Sequence, residues 1–392
     1  VTDVAERLEE LRDRGLYRQL RLVNGPQGPR VMLDGRSVLL LCSNNYLGLA
    51  DHPQVREAAA EAALHWGAGA GASRLISGNM EPHRRLEARL AEFKGYEAAL
   101  LFGSGYLANT GTIAALAGAG EVVFSDELNH ASIVDGCRLS RAETFVYRHG
   151  DLEHLAWGLE QAGGRGSLVV TDGVFSMDGD IAPLPQLLEL AHRHGCRLMV
   201  DEAHATGAVG PGGRGSVAAA GLSGEVDLVV GTLGKALGSY GAYACAGAET
   251  IDFLVNIARP FVFSTAPPPP SVAAATAALE LVSAERVGRL QANATAFRAA
   301  LAAEGLDAGR SRTQIVPIEV GDAEPTMELC ERLLAGGVFA QGIRPPTVPE
   351  GSSRLRFTVM ASHEAGELES AAKLVGAAAR ELGLLAPQAV AA

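Results

Sequence analysis

Arg197-Leu198-Met199-Val200-Asp201-Glu202-Ala203-His204 carries a short apolar strand into a carboxylate and an imidazole. Val226-Asp227-Leu228-Val229-Val230-Gly231-Thr232-Leu233-Gly234-Lys235 repeats the arrangement with a hydroxyl and an amine. Upstream, Ser167 to Thr171 (SLVVT) is a third apolar run. Between it and Arg197, the residues Leu184, Leu187, Leu188 and Ala191 recur at i, i+3, i+4 and i+7, the helical period, and Gly195 supplies the stop. Strands alternating with helices need crossover connections. The spacing therefore predicts an α/β fold: a large domain over 46–285 with a mostly parallel sheet flanked by helices. A smaller C-terminal α+β domain is expected over 286–392. Its elements are a helix near 286–304, a strand near 313–320, a helix near 325–335, a strand near 355–360 and a last helix near 364–382. Residues 1–45 read as an N-terminal arm, with Val4, Leu8 and Leu11 at helical spacing and a basic stretch holding Arg12, Arg14, Arg18 and Arg21. Gly25-Pro26 and Gly28-Pro29 break it.

In open α/β sheets ligands sit beyond the carboxyl ends of the strands, so Asp201, His204, Thr232 and Lys235 are expected around one cleft. Singly, an aspartate after a strand reads as a helix N-cap and a lysine in a glycine-rich loop as a solvated charge. Their joint placement at neighbouring strand ends turns the reading toward chemistry. A neutral lysine forms a Schiff base with an aldehyde cofactor. An aspartate beside a pyridine nitrogen keeps that nitrogen protonated, and a pyridinium is an electron sink for a carbanion. His204 can donate to a phenolic oxygen on the same ring. Phe102-Gly103-Ser104-Gly105-Tyr106-Leu107-Ala108-Asn109 is a glycine-rich turn opening an apolar helix, and such an N-terminus favours a phosphate. The Thr232 hydroxyl is a second candidate for it. His130 follows the strand-like Val122-Val123-Phe124 and can stack on a flat ring, although alone it reads as an ordinary partly buried histidine.

Other motifs fail. A P-loop ending at Lys235 needs glycine at 229 and a hydroxyl at 236, where the chain has Val229 and Ala236. The Gly-Ala repeat from Gly67 follows a helical pattern rather than a strand, which rules out a dinucleotide fingerprint. His192 and His194 lie two apart on a helix and point in different directions, so no metal site is expected. Asn293-Ala294-Thr295 is a chance sequon.

The 392 residues are 47% hydrophobic, enough for more than one core. A net charge of −12 argues against coating nucleic acid while leaving room for a small anion in a local positive pocket. Five cysteines without a CxxC pair fit a reduced cytoplasm. The acidic start has no apolar h-region, and no apolar run is long enough for a bilayer. A cytoplasmic protein without a membrane or nucleic-acid partner is expected.

The chain resembles the α-oxoamine synthases, fold-type I pyridoxal-phosphate (PLP) transferases. The motifs are SNNYLGL (43–49), SRLISGN (73–79), NHASIVDGCRLS (129–140), TDGVFSMDGDIAPL (171–184), DEAHATG (201–207), GTLGKALGSYG (231–241) and SRLR (353–356). The resemblance implies pyridoxal 5'-phosphate held by Lys235 as a Schiff base, with Asp201 at the pyridine nitrogen. It places His204 and Ser176 near the phenolic oxygen, His130 on the ring, and Gly105, Tyr106 and Thr232 at the phosphate. It further implies substrate contacts from Arg18, Asn44, Thr347 and Arg356, with Arg356 as carboxylate anchor. A homodimer is implied too, in which Ser264 and Thr265 reach the partner's phosphate. Ile343-Arg344-Pro345-Pro346-Thr347-Val348-Pro349 points within the family to the branch that condenses L-alanine with a pimeloyl thioester, on coenzyme A or acyl carrier protein, with loss of CO2. A sibling activity using glycine differs by one methyl, and a non-catalytic PLP-fold protein is the rival from another class.

Overall fold

The computed structural model describes residues 3–385. They group into two compact units, residues 45–176 with 180–288, and residues 3–44 with 177–179 and 289–385. Residues 3–44 thus belong to the same unit as the C-terminal segment. Within them the helix Val4–Asp13 is capped by Asp3, whose carboxylate accepts from the Ala5 N–H at 3.1 Å, and none of its residues is buried. Three strands follow: Val23–Asn24 (β1), Arg30–Leu33 (β2) and Arg36–Leu40 (β3), paired antiparallel in that order.

The larger unit is built on seven strands: Ala98–Phe102 (β4), Val122–Asp126 (β5), Glu143–Tyr147 (β6), Gly166–Asp172 (β7), Arg197–Asp201 (β8), Leu228–Thr232 (β9) and Ala242–Ala246 (β10). Their order is β4-β10-β9-β8-β7-β5-β6. The five from β9 to β6 run parallel, and β10 is antiparallel to both its neighbours. Alternation explains the apolar runs. Leu168, Val170, Met199, Leu228 and Val230 pack into one core layer, and Val169, Leu198, Val200 and Val229 into another. A sheet covered on both faces needs apolar residues at every position. The helix Leu184–Arg193 buries Leu184, Leu187, Leu188 and Ala191, the stripe its spacing predicts. Pro268 is the N-cap and Pro269 the first residue of the helix Pro269–Glu280, so the proline run starts a helix where a missing N–H costs nothing.

In the smaller unit Ile315–Gly321 (β11), Val338–Phe339 (β12), Gln341–Ile343 (β13) and Ser353–Thr358 (β14) complete the strands. β12 pairs parallel with β3, which ties the N-terminal hairpin to the C-terminal segment. β14 lies between β11 and β13, antiparallel to both, and begins at Ser353 because Ser353 pairs with Gly321. All its residues are buried. Arg354 and Arg356 are among them, each only 8% exposed despite its charge. The Asn293 amide nitrogen donates to the carbonyls of Met360 and His363, each at 2.9 Å, so the sequon's nitrogen is engaged inside the fold. No helix among the described residues is long and apolar enough to cross a membrane.

Candidate active site

Polar side chains gather at the carboxyl ends of the parallel strands in the larger unit, where the apolar runs stop. Asp201 ends β8 and is buried. Its Oδ1 accepts from the Ala203 N–H at 2.8 Å and its Oδ2 from Asn109 Nδ2 at 2.6 Å. The same Asn109 nitrogen donates to Ser132 Oγ at 2.8 Å. Asn109 lies on the helix Gly105–Leu116, and sequence reasoning gave it no role. His204, three residues beyond Asp201, is buried between two partners. Its Nε2 lies 2.8 Å from Lys235 Nζ and its Nδ1 2.7 Å from the Tyr46 hydroxyl. When Lys235 donates to Nε2, the imidazole proton sits on Nδ1 and is donated to Tyr46 Oη. Lys235 stands in the loop after β9, where Thr232 Oγ1 donates to the Gly241 carbonyl at 3.1 Å and accepts from the Gly234 N–H at 3.2 Å.

His130 is the N-cap of the helix Ala131–Ser140. Its Nδ1 lies 2.7 Å from Ser132 Oγ, and its backbone N–H donates to Asp172 Oδ2 at 2.8 Å. Part of His130 is open to solvent, yet burial of the rest lowers its pKa. Asp201 opposes that shift and Lys235 reinforces it, which puts both within electrostatic reach of His130. Ser104 caps the helix Gly105–Leu116 by accepting from the Leu107 N–H at 3.2 Å. A Cβ on Gly105 would meet nothing within 4 Å, so there is open space beside the first residue of the helix. The Tyr106 hydroxyl donates to Asp135, which leaves its backbone N–H as the group able to meet an anion there. Ser176 is half-buried in the turn after β7. Ser264 is half-buried and Thr265 exposed, with Thr265 bridged to Ser73.

The smaller unit holds the other four residues in two places. Arg18 and Thr347 line a cavity of about 440 Å³ together with Arg21, Gln341 and Arg344. Neither Asn44 nor Arg356 lines it. These two meet each other instead, with Arg356 Nη2 donating to Asn44 Oδ1 at 3.4 Å. Arg354 is engaged differently. Its Nη1 donates to Asp178 Oδ1 at 2.5 Å and its Nε to the Ser352 carbonyl at 3.0 Å. The two arginines share a strand face but not a task.

Sequence reasoning also passed over Tyr46, inside the quoted SNNYLGL motif, and Asp172, inside TDGVFSM. Each polar residue within a motif otherwise assigned to the site was the available signal.

These features define a transferase built on an α/β sheet with a lysine, an imidazole and a carboxylate at adjacent strand ends. The chain belongs to the aminotransferase class I and II family, whose model matches residues 36–375, and within it to the α-oxoamine synthases. It is 56% identical to the 8-amino-7-oxononanoate synthase of Citrifermentans bemidjiense, over 97% of this chain and 99% of that one. It is 55% identical to the same-named protein of Geobacter sulfurreducens, with the same coverage. Among solved structures it resembles serine palmitoyltransferase from S. paucimobilis with bound PLP and myriocin, at a TM-score of 0.92 and 34% identity, covering 97% and 98% of the two chains. It also resembles the 8-amino-7-oxononanoate synthase of Francisella tularensis, at a TM-score of 0.77 and 27% identity, covering 88% and 98%.

Proposed function

We propose that this chain binds pyridoxal 5'-phosphate at the strand ends of its larger unit. There it condenses L-alanine with a pimeloyl thioester, releasing CO2 and the free thiol carrier and forming 8-amino-7-oxononanoate for biotin biosynthesis. The observation that carries the reading is the 2.8 Å approach of Lys235 Nζ to His204 Nε2, in electrostatic reach of His130 and beside Asp201. The residues present fit the cofactor. Asp201 offers a carboxylate for a pyridine nitrogen, His130 a ring at the mouth, Lys235 an amine for an aldehyde, and the open helix start at Gly105 a place for phosphate. Bound there, PLP supplies an electron sink for the electron pair at the amino acid's α-carbon.

The protein's own part is positioning and proton handling. Lys235 Nζ takes the α-proton when it is free of the cofactor, and His204 holds that nitrogen by its hydrogen bond. Tyr46 in turn fixes the imidazole. Asp201, held by two N–H donors, keeps a negative charge where the pyridine nitrogen sits. Ser176 serves the phenolic oxygen, joined by His204 through Nε2–H while Lys235 is held by the cofactor and Tyr46 donates to Nδ1, and Thr232 and the amides at Gly105 and Tyr106 serve the phosphate. Arg356 anchors the amino acid's carboxylate with its planar fork, alongside Asn44. Arg18 and Thr347 contact the acyl donor. The chain works as a homodimer in the cytoplasm, with Ser264 and Thr265 reaching the partner's phosphate. The exposed apolar side chains of Leu64, Leu75, Ile76 and Phe263 support a second copy covering this unit.

Turnover of the purified protein, with L-alanine or glycine against acetyl, succinyl, pimeloyl and palmitoyl thioesters, tests the reading. Alanine with the pimeloyl thioester is the expected pair. Preference for glycine or for another acyl chain overturns the substrate assignment, and absence of turnover with every pair overturns the reaction.

A further inference from the structure

A second buried acid stands beside Asp201, and nothing in the reaction above uses it. Asp172 ends β7 as Asp201 ends β8, and the two are register partners on parallel strands. Their side chains therefore leave the sheet on the same face, from backbones about 4.8 Å apart. They are 2% and 4% exposed. Two carboxylates this close and this buried do not both ionise.

The hydrogen bonds say which one keeps the charge. Asp201 receives N–H donors on both oxygens, from Ala203 and Asn109. Asp172 receives the His130 N–H on Oδ2. The other charged and titratable groups facing Asp172 are Asp126 at the end of β5, Tyr147 at the end of β6 and Lys235 after β9. Asp126 is occupied by His149 and by the N–H groups of Leu128 and Gly150. Lys235 Nζ is at His204.

Asp172 also fixes the chain ahead of the His130 ring. Its backbone N–H donates to Asn129 Oδ1 at 2.9 Å, and Asn129 Nδ2 donates to the Val170 carbonyl at 2.8 Å. Both residues preceding the helix Ala131–Ser140 are thereby bonded to the end of β7.

We propose that Asp172 is a positioning residue that stays protonated beside an ionised Asp201 and fixes the backbone of His130 through its carboxyl oxygen. Burial and then the Asp201 charge push its pKa well above the ordinary range, with the His130 N–H and Lys235 pulling the other way, which agrees with the geometry. The part of the proposal that concerns His130 and the cofactor rests on the function proposed above. The protonation of Asp172 does not.

The test uses the full chain with and without PLP. Carbon-13 NMR of aspartate-labelled wild type is expected to show one carboxyl still protonated at neutral pH in both forms, and infrared spectra a protonated-carboxyl stretch that D172N removes. Because an amide is neutral and still accepts from the His130 N–H, D172N is expected to keep the pH midpoint of the bound cofactor's visible absorbance, whereas D201N shifts it. D172A is expected to keep the midpoint while raising KM for the amino acid several-fold more than it lowers kcat, since the ring above the substrate loses its anchor. Absence of a protonated carboxyl in wild type overturns the proposal even where every variant misfolds, and so does a midpoint in D172N that moves with that of D201N. If the protein binds no PLP, the function fails while the NMR still decides the state of Asp172.

Discussion

His149 is a buried imidazole held between two carboxylates, and its loss should cost stability in a pH-dependent way. Its Nδ1 lies 3.0 and 3.2 Å from the oxygens of Asp126 and its Nε2 2.9 Å from Asp180. The side chain is 8% exposed, and its ring meets Phe175 edge-on at 4.4 Å. Burial alone would lower its pKa, but the bonds to Asp126 and Asp180 override that and raise it from 6.5 to about 10. At about 1.36 kcal/mol per pH unit, such a rise sets a ceiling of about 5 kcal/mol on the linked stability. Removing one partner from a buried ion pair costs about 3–5 kcal/mol, which agrees. The folded pKa lies above the unfolded one. The stabilisation is therefore fully present below about pH 6.5 and is lost as pH rises toward 10. His149→Gln removes the charge, so the difference from wild type should be about 3–5 kcal/mol at pH 6 and shrink with a slope approaching 1.36 kcal/mol per pH unit above the unfolded pKa. Urea unfolding of both proteins at a series of pH values between 5.5 and 9.5 measures it. A difference that stays constant across that range would refute a protonated His149, and a difference near zero at every pH would refute the tie itself.

Lys235→Ala should abolish turnover and the visible absorbance of the bound cofactor. Borohydride reduction of wild type should leave a cofactor-mass adduct on Lys235, and an adduct on Lys94 or Lys373 would sink the assignment. Asp201→Asn should leave the protein folded while slowing exchange of alanine's α-proton by more than tenfold, because a charge-assisted hydrogen bond contributes about 1.5–3 kcal/mol; exchange at the wild-type rate removes Asp201 from the role. Arg356→Lys should weaken alanine binding by roughly 1.5–3 kcal/mol, read from the cofactor's absorbance during an alanine titration, with PLP still bound. If Arg354→Lys weakens alanine binding and Arg356→Lys does not, the anchor is the other arginine.

What the sequence disclosed depended on whether local pattern and burial agreed. The run RLMVD and the spaced leucines at 184, 187 and 188 show their element type because apolar periodicity is all that such buried segments need. The antiparallel strand β10 escaped because Ala-Tyr-Ala-Cys-Ala carries no β-branched residue, and its strand state comes from pairing with β4 and β9. Arg354 and Arg356 look like surface charge. Only the fold shows that Asp178 and Asn44 stand opposite them. Lys94, in the last turn of a helix, reads as a cation answering the helix dipole but is buried against Glu202. Asn109 sits on an apolar helix, where nothing in the local pattern separates a core amide from one reaching Asp201.

The same distinction explains why Asp201 and Glu202, adjacent acids in one motif, carry different burdens. Glu202 points away from the cleft chemistry. One oxygen takes Lys94, and the other takes Ser216 Oγ at 2.8 Å and the Val217 N–H at 2.7 Å. Its backbone carbonyl accepts from the N–H groups of Ala205 and Thr206, so the turn holding His204 is closed on Glu202 itself. Two glycines follow from that arrangement. Gly215 has φ +105°, and a Cβ there would overlap the Glu202 carboxylate. Gly207 has φ +77°, and a Cβ there would approach Ala236, the neighbour of Lys235, at 2.6 Å. A buried ion pair adds little net stability over an apolar pair, whereas removing one partner leaves the other charge buried and uncompensated. Here the residue that carries the pair also closes, through its backbone carbonyl, the turn from which His204 Nε2 meets Lys235 Nζ.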